Sequence, residues 1–402
     1  MIKSNKEKIE KKVLYAKAVF GKEEKKAVLK SLENEWLASG PLVKKFENKI
    51  AKLFDVEYAV AVNSGSSANL LALRALVMRK GAEIITPACT FATTVSEIIN
   101  SGFVPVFVDS VLGRYTIDED LIEEAITNRT SAILVPQLIG GVCDMERIKD
   151  IADKHELHLI DDSCDTIAPT FKGYTVANYA DITTTSFYGS HIITACGVGG
   201  MVLTDYWDLK EKVVSLRDWG RVGDDKEAFK ERFDFEVDGI PYDKKFLYNE
   251  FGYNLKMNEA SAAFGLEQLK KLPKFLKIRK ENFRTLYKFF LQYQDLFELP
   301  RLIKGATTNW LAFPLTIMEG ALFTRYDLLE HLEKKGIQTR VLFSGNITRH
   351  PIYKENNLKW RGAKSFPVAD YIMANSFLIG CHHAMRKKET DYIISSFEEF
   401  LK

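Results

Sequence analysis

The 402-residue sequence lacks several features that would each place it in a particular class of protein. No apolar run approaches the roughly 18–20 residues of a membrane-spanning helix, and the first residues, MIKSNKEKIEKK, contain no apolar signal core. The formal net charge at pH 7 is only +2, which argues against nucleic acid as the main partner. Repeats and low-complexity stretches are absent too. These absences predict a globular cytoplasmic protein with no membrane partner.

Cysteine is also scarce, and the spacing of the cysteines is uninformative for metal binding. No CxxC pair occurs among the five cysteines, which are Cys89, Cys143, Cys164, Cys196 and Cys381. Reduced thiols are expected in a long chain without a signal peptide. Because metal and iron–sulfur sites usually use closely spaced ligands, we predict neither here.

The first half of the chain alternates short apolar runs with amphipathic segments. Several runs are continuously apolar, as expected of strands that are buried on both faces. This alternation predicts an α/β fold whose large domain holds a mostly parallel, seven-stranded sheet with helices on both faces. The predicted strands are Ala59–Val62, Glu83–Thr86, Val104–Val108, Ala132–Val135, Leu157–Asp161, Asp181–Phe187 and Gly200–Thr204.

Beyond about residue 203 the regular alternation ends. A polar and aromatic stretch is followed by a long helical pattern at about 258–290, with an interruption expected at Pro273. The remainder mixes short strands and helices. We therefore predict an N-terminal segment and large domain over residues 1–255, and a linking helix with a smaller α/β domain over 256–402.

Ligands of such sheets bind at the carboxyl ends of the strands, so the loops that follow the strands are the candidates for chemistry. Residues 63–69 (NSGSSAN) join a strand to a helix and could cradle an anion. The alternative is a plain helix cap by Ser66 or Ser67. Phe91, after the second strand, could stack on a planar cofactor or be a core aromatic.

Two further strand ends carry polar groups. The fifth strand ends in a run with three carboxylates, and Asp162 within it could face a pyridinium nitrogen. The alternative is a solvent-exposed acidic turn or a helix cap. The sixth strand leads to His191 and a glycine run at 197–200. A single histidine is more often structural than catalytic. His191 is therefore a catalytic candidate only in combination with the loops at the other strand ends.

Six segments together resemble, in order, the sugar-nucleotide aminotransferase family of the DegT/StrS type, whose members are fold type I enzymes that use pyridoxal 5′-phosphate (PLP). The resemblance covers nearly the whole chain, and its specificity lies in the ordered set. The segments are WLASGPLVKKFE, SGSSAN, PACTFATT, LIDDSCD, TTSFYGSH and FGYNLKMNEASAAFG.

The resemblance implies a PLP-dependent transferase fold of type I and a set of cofactor-binding residues. Asp162 would face the pyridine nitrogen, and Phe91 would cover the ring. Asn254 would reach the phosphate of the neighbouring subunit's cofactor, which implies a homodimer with shared active sites. The full implied set is Gly65, Ser66, Ser67, Phe91, Asp162, Ser186 and Asn254.

The chain departs from the aminotransferases at His191, where they have a lysine that bonds covalently to PLP. Histidine cannot form that bond but can move protons. The same exchange occurs in a branch of sugar 3-dehydratases, which also resemble residues 339–349. His191 is then the catalytic base, assisted by Asp162. The implied reaction is removal of the C3 hydroxyl from a nucleotide-linked 4-keto-6-deoxy hexose by pyridoxamine 5′-phosphate (PMP), with glutamate as amino donor.

That branch contains two kinds of enzyme. One carries an iron–sulfur cluster on closely spaced cysteines after the histidine loop. The other, which acts on GDP-4-keto-6-deoxy-mannose, has none. Since no cysteine occurs between Cys196 and Cys381, the chain resembles the cluster-free kind. A further departure is Val198, where the family often has glutamate.

Candidate substrate-binding residues lie in two segments. Arg217 and Trp219 (in RDWGR) could contact the sugar nucleotide or form a surface turn with a buried tryptophan. By resemblance, Arg340, Asn346 and Arg349 are also candidates. We do not expect a metal at His382 and His383, for which a solvent-facing or pocket-edge position is predicted.

Three other functions fit the same residues. A sugar 4-aminotransferase would release an amino sugar instead of a deoxy sugar. An iron–sulfur dehydrase could assemble its cluster from distant cysteines. A pseudoenzyme could bind a sugar nucleotide without reaction. The sequence does not distinguish GDP, CDP and dTDP as the nucleotide.

Overall fold

The computed structural model describes residues 13–222, 228–355 and 358–402 of the chain. Its α-helices are α1 Lys22–Glu33, α2 Pro41–Phe54, α3 Gly65–Ala75, α4 Ala92–Asn100, α5 Ile122–Ala125, α6 Met145–Lys154, α7 Trp207–Arg217, α8 Phe229–Arg232, α9 Glu259–Phe290, α10 Arg325–Lys334, α11 Pro351–Glu355, α12 Pro367–Asn375 and α13 Lys387–Leu401. Its strands are β1 Tyr58–Val62, β2 Glu83–Pro87, β3 Val104–Val108, β4 Thr130–Pro136, β5 His158–Asp162, β6 Thr170–Phe171, β7 Tyr174–Thr175, β8 Ile182–Ser186, β9 Gly200–Thr204, β10 Glu236–Val237, β11 Ile240–Pro241, β12 Phe297–Glu298, β13 Ala306–Thr307, β14 Phe313–Ile317, β15 Thr339–Val341, β16 Arg361–Gly362 and β17 Ser376–Ile379.

The central sheet has the strand order β1-β9-β8-β5-β4-β2-β3-β16. All pairs from β8 to β16 are parallel, and β9 runs antiparallel to both β1 and β8. The mostly parallel arrangement and all seven predicted strands are confirmed. The count of seven is wrong, because β16 adds an eighth strand at the edge. A two-residue strand has no periodicity to detect, and it is fixed by long-range contacts such as the ion pair of Arg361 with Glu83.

Helices cover both faces of this sheet. Along β4, Leu134 packs in a core with α3 and α7, whereas Ile133 and Val135 pack on the opposite side with α6. Successive side chains of a strand point to opposite faces, so burial on both faces explains why the strands read as continuous apolar runs.

A second, antiparallel sheet has the order β12-β14-β17-β15. Its core includes residues of α9, α10 and α13. Helix α9 contacts α1 and α2 as well as α13. The division into two domains near residue 255, with a linking helix, stays a prediction. Among the described residues, no helix combines the length and the apolar character that crossing a membrane would require.

The expected interruption at Pro273 is wrong, since α9 runs through it without a break. Pro273 is exposed, where water can bind the carbonyl that loses its helical partner. The continuous helix also buries residues on both sides of the proline, including Leu272 and Phe275. That packing offsets the local cost of the proline.

Candidate active site

A cavity of about 400 Å³ opens at the carboxyl ends of the central strands. Residues that follow β1, β2 and β8, together with the last residue of β5, converge on it. Among the residues predicted for cofactor binding or catalysis, those that line it are Gly65, Ser66, Phe91, Asp162, Ser186 and His191. Loops more than a hundred residues apart in sequence are therefore brought to one place, as the topology of a parallel sheet predicts.

The start of α3 forms one wall of the cavity. Ser64 caps the helix, with its Oγ accepting a bond from the Ser67 backbone N–H at 3.1 Å, so the predicted cap at Ser66 or Ser67 is wrong. Ser67 donates its hydroxyl to Asn63 Oδ1 at 2.6 Å and does not line the cavity. Ser66 is left at the cavity wall, beside the N-terminal N–H groups of an 11-residue helix, where an anion is favoured.

Close packing makes glycine necessary in this wall. A Cβ atom on Gly65 would lie 2.8 Å from Ser186 Cβ and 2.9 Å from Cys164 Sγ. The absence of a side chain lets the Ser186 side chain approach the helix terminus. Backbone N–H groups and serine hydroxyls at one point are the donors that a phosphate group requires.

Asp162 lies at the end of β5 and is 5% exposed. Its Oδ2 accepts bonds from Asn69 Nδ2 at 2.8 Å and Thr94 Oγ1 at 2.9 Å. No described lysine, arginine or histidine forms an ion pair with it. A buried carboxylate without a cation is costly, so the site suits a ligand with a positively charged nitrogen. The alternative of an exposed acidic turn is wrong.

His191 lies at the cavity with its ring partly buried. Nδ1 is 3.3 Å from the Ser186 carbonyl oxygen, so this nitrogen carries the proton when it donates to that carbonyl. Burial lowers the pKa of His191 from 6.5 to about 4, although the Ser186 carbonyl and Asp162 oppose the shift. At neutral pH the ring is therefore uncharged, and Nε2 is available to accept a proton.

Aromatic side chains form another part of the wall. Phe91 is 46% exposed, so the alternative of a core aromatic is wrong. Its ring packs edge to face on Phe343 with centroids 5.3 Å apart. Tyr188 lies beside His191, with ring centroids 6.0 Å apart. These exposed rings give the cavity an apolar surface that suits a planar ligand.

Several cavity residues escaped the sequence reasoning. Asp165 accepts the Ile139 N–H at 2.9 Å, and burial raises its pKa to about 7. It belongs to the LIDDSCD run, so its proximity to Asp162 was a usable signal. Tyr15, which precedes the first helix, also lines the cavity, but no local pattern links it to the other lining residues, which are 49 or more positions away.

Other predicted residues are not brought to the cavity wall. Arg217 is buried and donates from Nη1 to Glu47 at 3.0 Å and to the Ala61 carbonyl at 2.9 Å. Trp219 is 41% exposed, so the predicted turn with a buried tryptophan is wrong. Asn254 is exposed, and its backbone forms an isolated antiparallel bridge with Asp218. The ligand roles of Arg217, Trp219 and Asn254 stay predictions.

The C-terminal candidates are engaged with other protein groups. Asn346 is buried and donates to Asp370 Oδ1 at 2.7 Å, and Arg349 donates to the same carboxylate, with Nε 2.7 Å from Oδ1. Arg340 lies over the ring of Tyr15, 5.7 Å from its centroid. Because Tyr15 lines the cavity, Arg340 lies near its edge. The substrate-binding roles of all three stay predictions.

The described residues contain no group of three or more His, Cys, Asp or Glu side chains that could hold a metal ion. His382 and His383 are 4% and 6% exposed, so the predicted solvent-facing or pocket-edge position is wrong. His382 Nε2 lies 3.0 Å from the Leu14 carbonyl oxygen, and His383 Nδ1 lies 3.3 Å from Arg279 Nη1. The His383 ring also stacks on Phe275, with ring centroids 4.0 Å apart.

Comparison with known proteins agrees with this geometry. Residues 19–398 match the DegT/DnrJ/EryC1/StrS aminotransferase family. The chain is 37% identical to the lipopolysaccharide biosynthesis protein RfbH of Salmonella typhimurium, over 95% of this chain and 90% of that protein. It is also 37% identical to the dTDP-4-dehydro-2,6-dideoxy-D-glucose 3-dehydratase of Saccharopolyspora spinosa, over 96% of this chain and 85% of that protein.

Among solved structures, the chain resembles the E. coli GDP-4-keto-6-deoxy-D-mannose-3-dehydratase with bound hydrated PLP. The TM-score is 0.86 at 27% sequence identity, over 96% of this chain and 99% of that one. The fold is that of the type I PLP enzymes, and the residues at the cavity fit a PLP or PMP cofactor. The chain therefore belongs to the DegT/DnrJ/EryC1/StrS aminotransferase family, whose members act on sugar nucleotides with PLP or PMP as cofactor.

Proposed function

We propose that this enzyme is a 3-dehydratase that removes the C3 hydroxyl from a nucleotide-linked 4-keto-6-deoxy hexose, with glutamate as amino donor. The observation that carries the proposal is the presence of His191, uncharged at neutral pH, at a cavity that also holds Asp162. No lysine lines this cavity among the described residues. Transamination in this family depends on a lysine that bonds covalently to the cofactor. No described residue at this site can therefore form that bond.

The chain's residues divide the work of holding and activating the cofactor. The N-terminus of α3, with Ser66 and Ser186, would hold the phosphate, and Asp162 would face the ring nitrogen. When bound, the cofactor supplies an amine for the sugar's C4 ketone and a ring that stores the electron pair of a broken C–H bond. His191 Nε2 would take the proton from the carbon next to that amine, and Asp162 would keep the ring nitrogen protonated.

The overall reaction balances without an external reductase. The sugar loses its C3 oxygen as water, and hydrolysis then releases the 4-keto-3-deoxy sugar and ammonia. The two electrons come from glutamate, which leaves as its 2-oxo acid. We propose that no iron–sulfur cluster takes part, since Cys89, Cys143 and Cys381 are each buried in the interior and no described group of cysteines could hold one.

We also propose a homodimer in which Asn254 reaches the neighbouring subunit's cofactor phosphate. Asn254 is exposed and outside the cavity of its own chain, which favours its use by another chain. Exposed apolar side chains along the N-terminal segment favour a subunit interface. They are Phe20, Leu29, Leu32, Trp36 and Leu37.

The test is to incubate the protein with PLP, glutamate and 4-keto-6-deoxy hexoses linked to GDP, CDP or dTDP, and to weigh the products. A 3-dehydratase gives a sugar that has lost one oxygen atom, and only when glutamate is present. A sugar in which the keto oxygen is replaced by an amino group would instead identify an aminotransferase. If PLP does not bind, the chain is not a PLP enzyme and the proposal fails.

A further inference from the structure

Two neutral side chains from different helices hold one oxygen of Asp162. Asn69 lies on α3 and Thr94 on α4, and both donate to Oδ2, at 2.8 and 2.9 Å. Asn69 is 1% exposed and Thr94 is fully buried. We propose that Asn69 and Thr94 are positioning residues that occupy Oδ2 and so reserve Oδ1 for the cofactor's ring nitrogen. This inference rests on the proposed placement of the ring at Asp162.

The orientation of the Asn69 amide is fixed by a further hydrogen bond, to its oxygen atom. Thr184 Oγ1 lies 2.5 Å from Asn69 Oδ1 and donates to it, because an amide oxygen can only accept. The amide nitrogen must then point at Asp162. Since an amide nitrogen can only donate, Asp162 Oδ2 is the acceptor of this bond. Thr184 is paired in register with Asp162 in the sheet, so this arrangement is built into the parallel pair β5–β8.

The other carboxylate oxygen remains available. Asp162 Oδ1 accepts the Cys164 N–H at 3.2 Å, which is long for a bond to a charged oxygen. A carboxylate oxygen has capacity for more than one donor. With Oδ2 occupied by Asn69 and Thr94, Oδ1 is the atom with capacity left for a protonated ring nitrogen.

The two donors that contact Oδ2 are also uncharged. Asn69 and Thr94 therefore hold the carboxylate of Asp162 without themselves bringing a positive charge that would compete with the ring. A lysine or arginine at either position would neutralise Asp162 and weaken its pull on the ring nitrogen.

The test follows the protonation of the ring nitrogen directly. PLP labelled with ¹⁵N in the ring is bound to the whole protein, and the ¹⁵N chemical shift is recorded against pH. Asn69→Ala and Thr94→Val each loosen the hold on Oδ2, so the carboxylate can turn and Oδ1 is no longer kept at the ring nitrogen. Each variant should therefore lower the pH at which the ring nitrogen loses its proton by about one unit, the size expected for one hydrogen bond to a charged group. Thr94→Ser keeps the hydroxyl and should titrate as the unmodified protein does.

Asp162→Asn is the reference that separates the two proposals. If it shifts the titration or abolishes PLP binding while Asn69→Ala and Thr94→Val do neither, the positioning role is overturned and the function stands. If Asp162→Asn binds PLP and titrates like the unmodified protein, the ring does not face Asp162, and the placement in the proposed function fails as well. Should Asn69→Ala not fold, Thr94→Val decides alone, because it removes a donor from a different helix.

Discussion

At the scale of single residues, His191 is the group on which the chemistry depends. His191→Asn removes the base but leaves Asp162, Ser186 and the start of α3 unchanged. We expect the variant to bind PLP with nearly unchanged affinity and to lose about 10²–10⁴-fold in turnover, the usual contribution of a positioned base. Product formation followed by mass spectrometry, beside a PLP titration, measures both quantities. Turnover within a few-fold of the unmodified enzyme would remove His191 from the mechanism.

His191→Lys is the complementary variant. It places a primary amine where the aminotransferases of the family have one, so we expect a covalent bond to PLP with its own visible absorption band. The His191→Asn protein, treated in the same way, supplies the matched spectrum without such a bond. An unchanged spectrum in the lysine variant would mean that this position does not reach the cofactor.

Much of the site could be predicted from sequence, because its members follow successive strands of one parallel sheet. Asp162, Ser186 and His191 lie at strand ends or just beyond them, where the topology directs side chains to one edge. The partners of these residues could not be predicted in the same way. Nothing local to Asn69 or Thr94 indicates that both side chains converge on a carboxylate from a third element.

At the scale of elements, the approach of β9 to the start of α3 shapes the cavity wall. A Cβ atom on Gly200 would lie 2.2 Å from the Ser64 carbonyl oxygen and 2.7 Å from the Gly65 nitrogen. Gly200→Ala must therefore push the strand away from the helix N-terminus. We expect PLP affinity to fall at least about tenfold and the free energy of unfolding to fall by roughly 2 kcal/mol.

Gly189→Ala is the matched control, because a Cβ there makes only ordinary contacts, 3.6 Å from the Gly197 carbonyl oxygen. Fluorescence titration with PLP and urea denaturation of both variants would measure the two effects. If Gly200→Ala behaved like Gly189→Ala in both, the strand–helix contact would not determine the shape of the site.

The elements also separate what a sequence can reveal from what it cannot. β4 and β8 were predictable because continuous apolar or β-branched runs are typical of strands buried on both faces. β16 was not, because two residues have no pattern and pair with β3 through contacts distant in sequence. The interruption predicted at Pro273 was wrong for a related reason. The free energy gained by burying α9 in the tertiary structure outweighs the local cost of a proline within the helix.

At the scale of the whole molecule, His382 connects the start of the chain to the small sheet. Its Nδ1 accepts the Ala384 N–H at 3.2 Å, and its Nε2 lies 3.0 Å from the Leu14 carbonyl oxygen. This pattern requires an uncharged ring, and burial lowers the pKa of His382 to about 4. The pKa of His382 in the folded protein is thus lower than its pKa near 6.5 in the unfolded chain. Its contribution to stability is therefore fully present above pH 6.5 and is lost as the pH falls towards 4.

His382→Asn keeps an acceptor near the position of Nδ1 but cannot take a proton in this range. We expect the unmodified protein to lose roughly 2 kcal/mol more stability than this variant between pH 7 and pH 4.5. Asp161 and Asp165 titrate in both proteins, so their effects cancel in the comparison. Urea denaturation at several pH values measures the difference. Parallel pH profiles for the two proteins would contradict the prediction.

The proposed homodimer makes each active site depend on two chains, and a mixed dimer tests this arrangement. One chain carries His191→Asn and the other Asn254→Ala, each with its own affinity tag, so that the mixed dimer can be purified. If Asn254 serves the neighbouring subunit, one site of the mixed dimer contains both defects, and the other contains an intact His191 and an intact Asn254. The mixed dimer should then have about half of the unmodified activity, well above either homodimer of variants. If Asn254 serves its own chain, no site is intact, and activity should stay at the average of the two variants. The mixed dimer contains the same residues under either arrangement. The recovery of activity therefore depends only on which chain supplies Asn254 to each site.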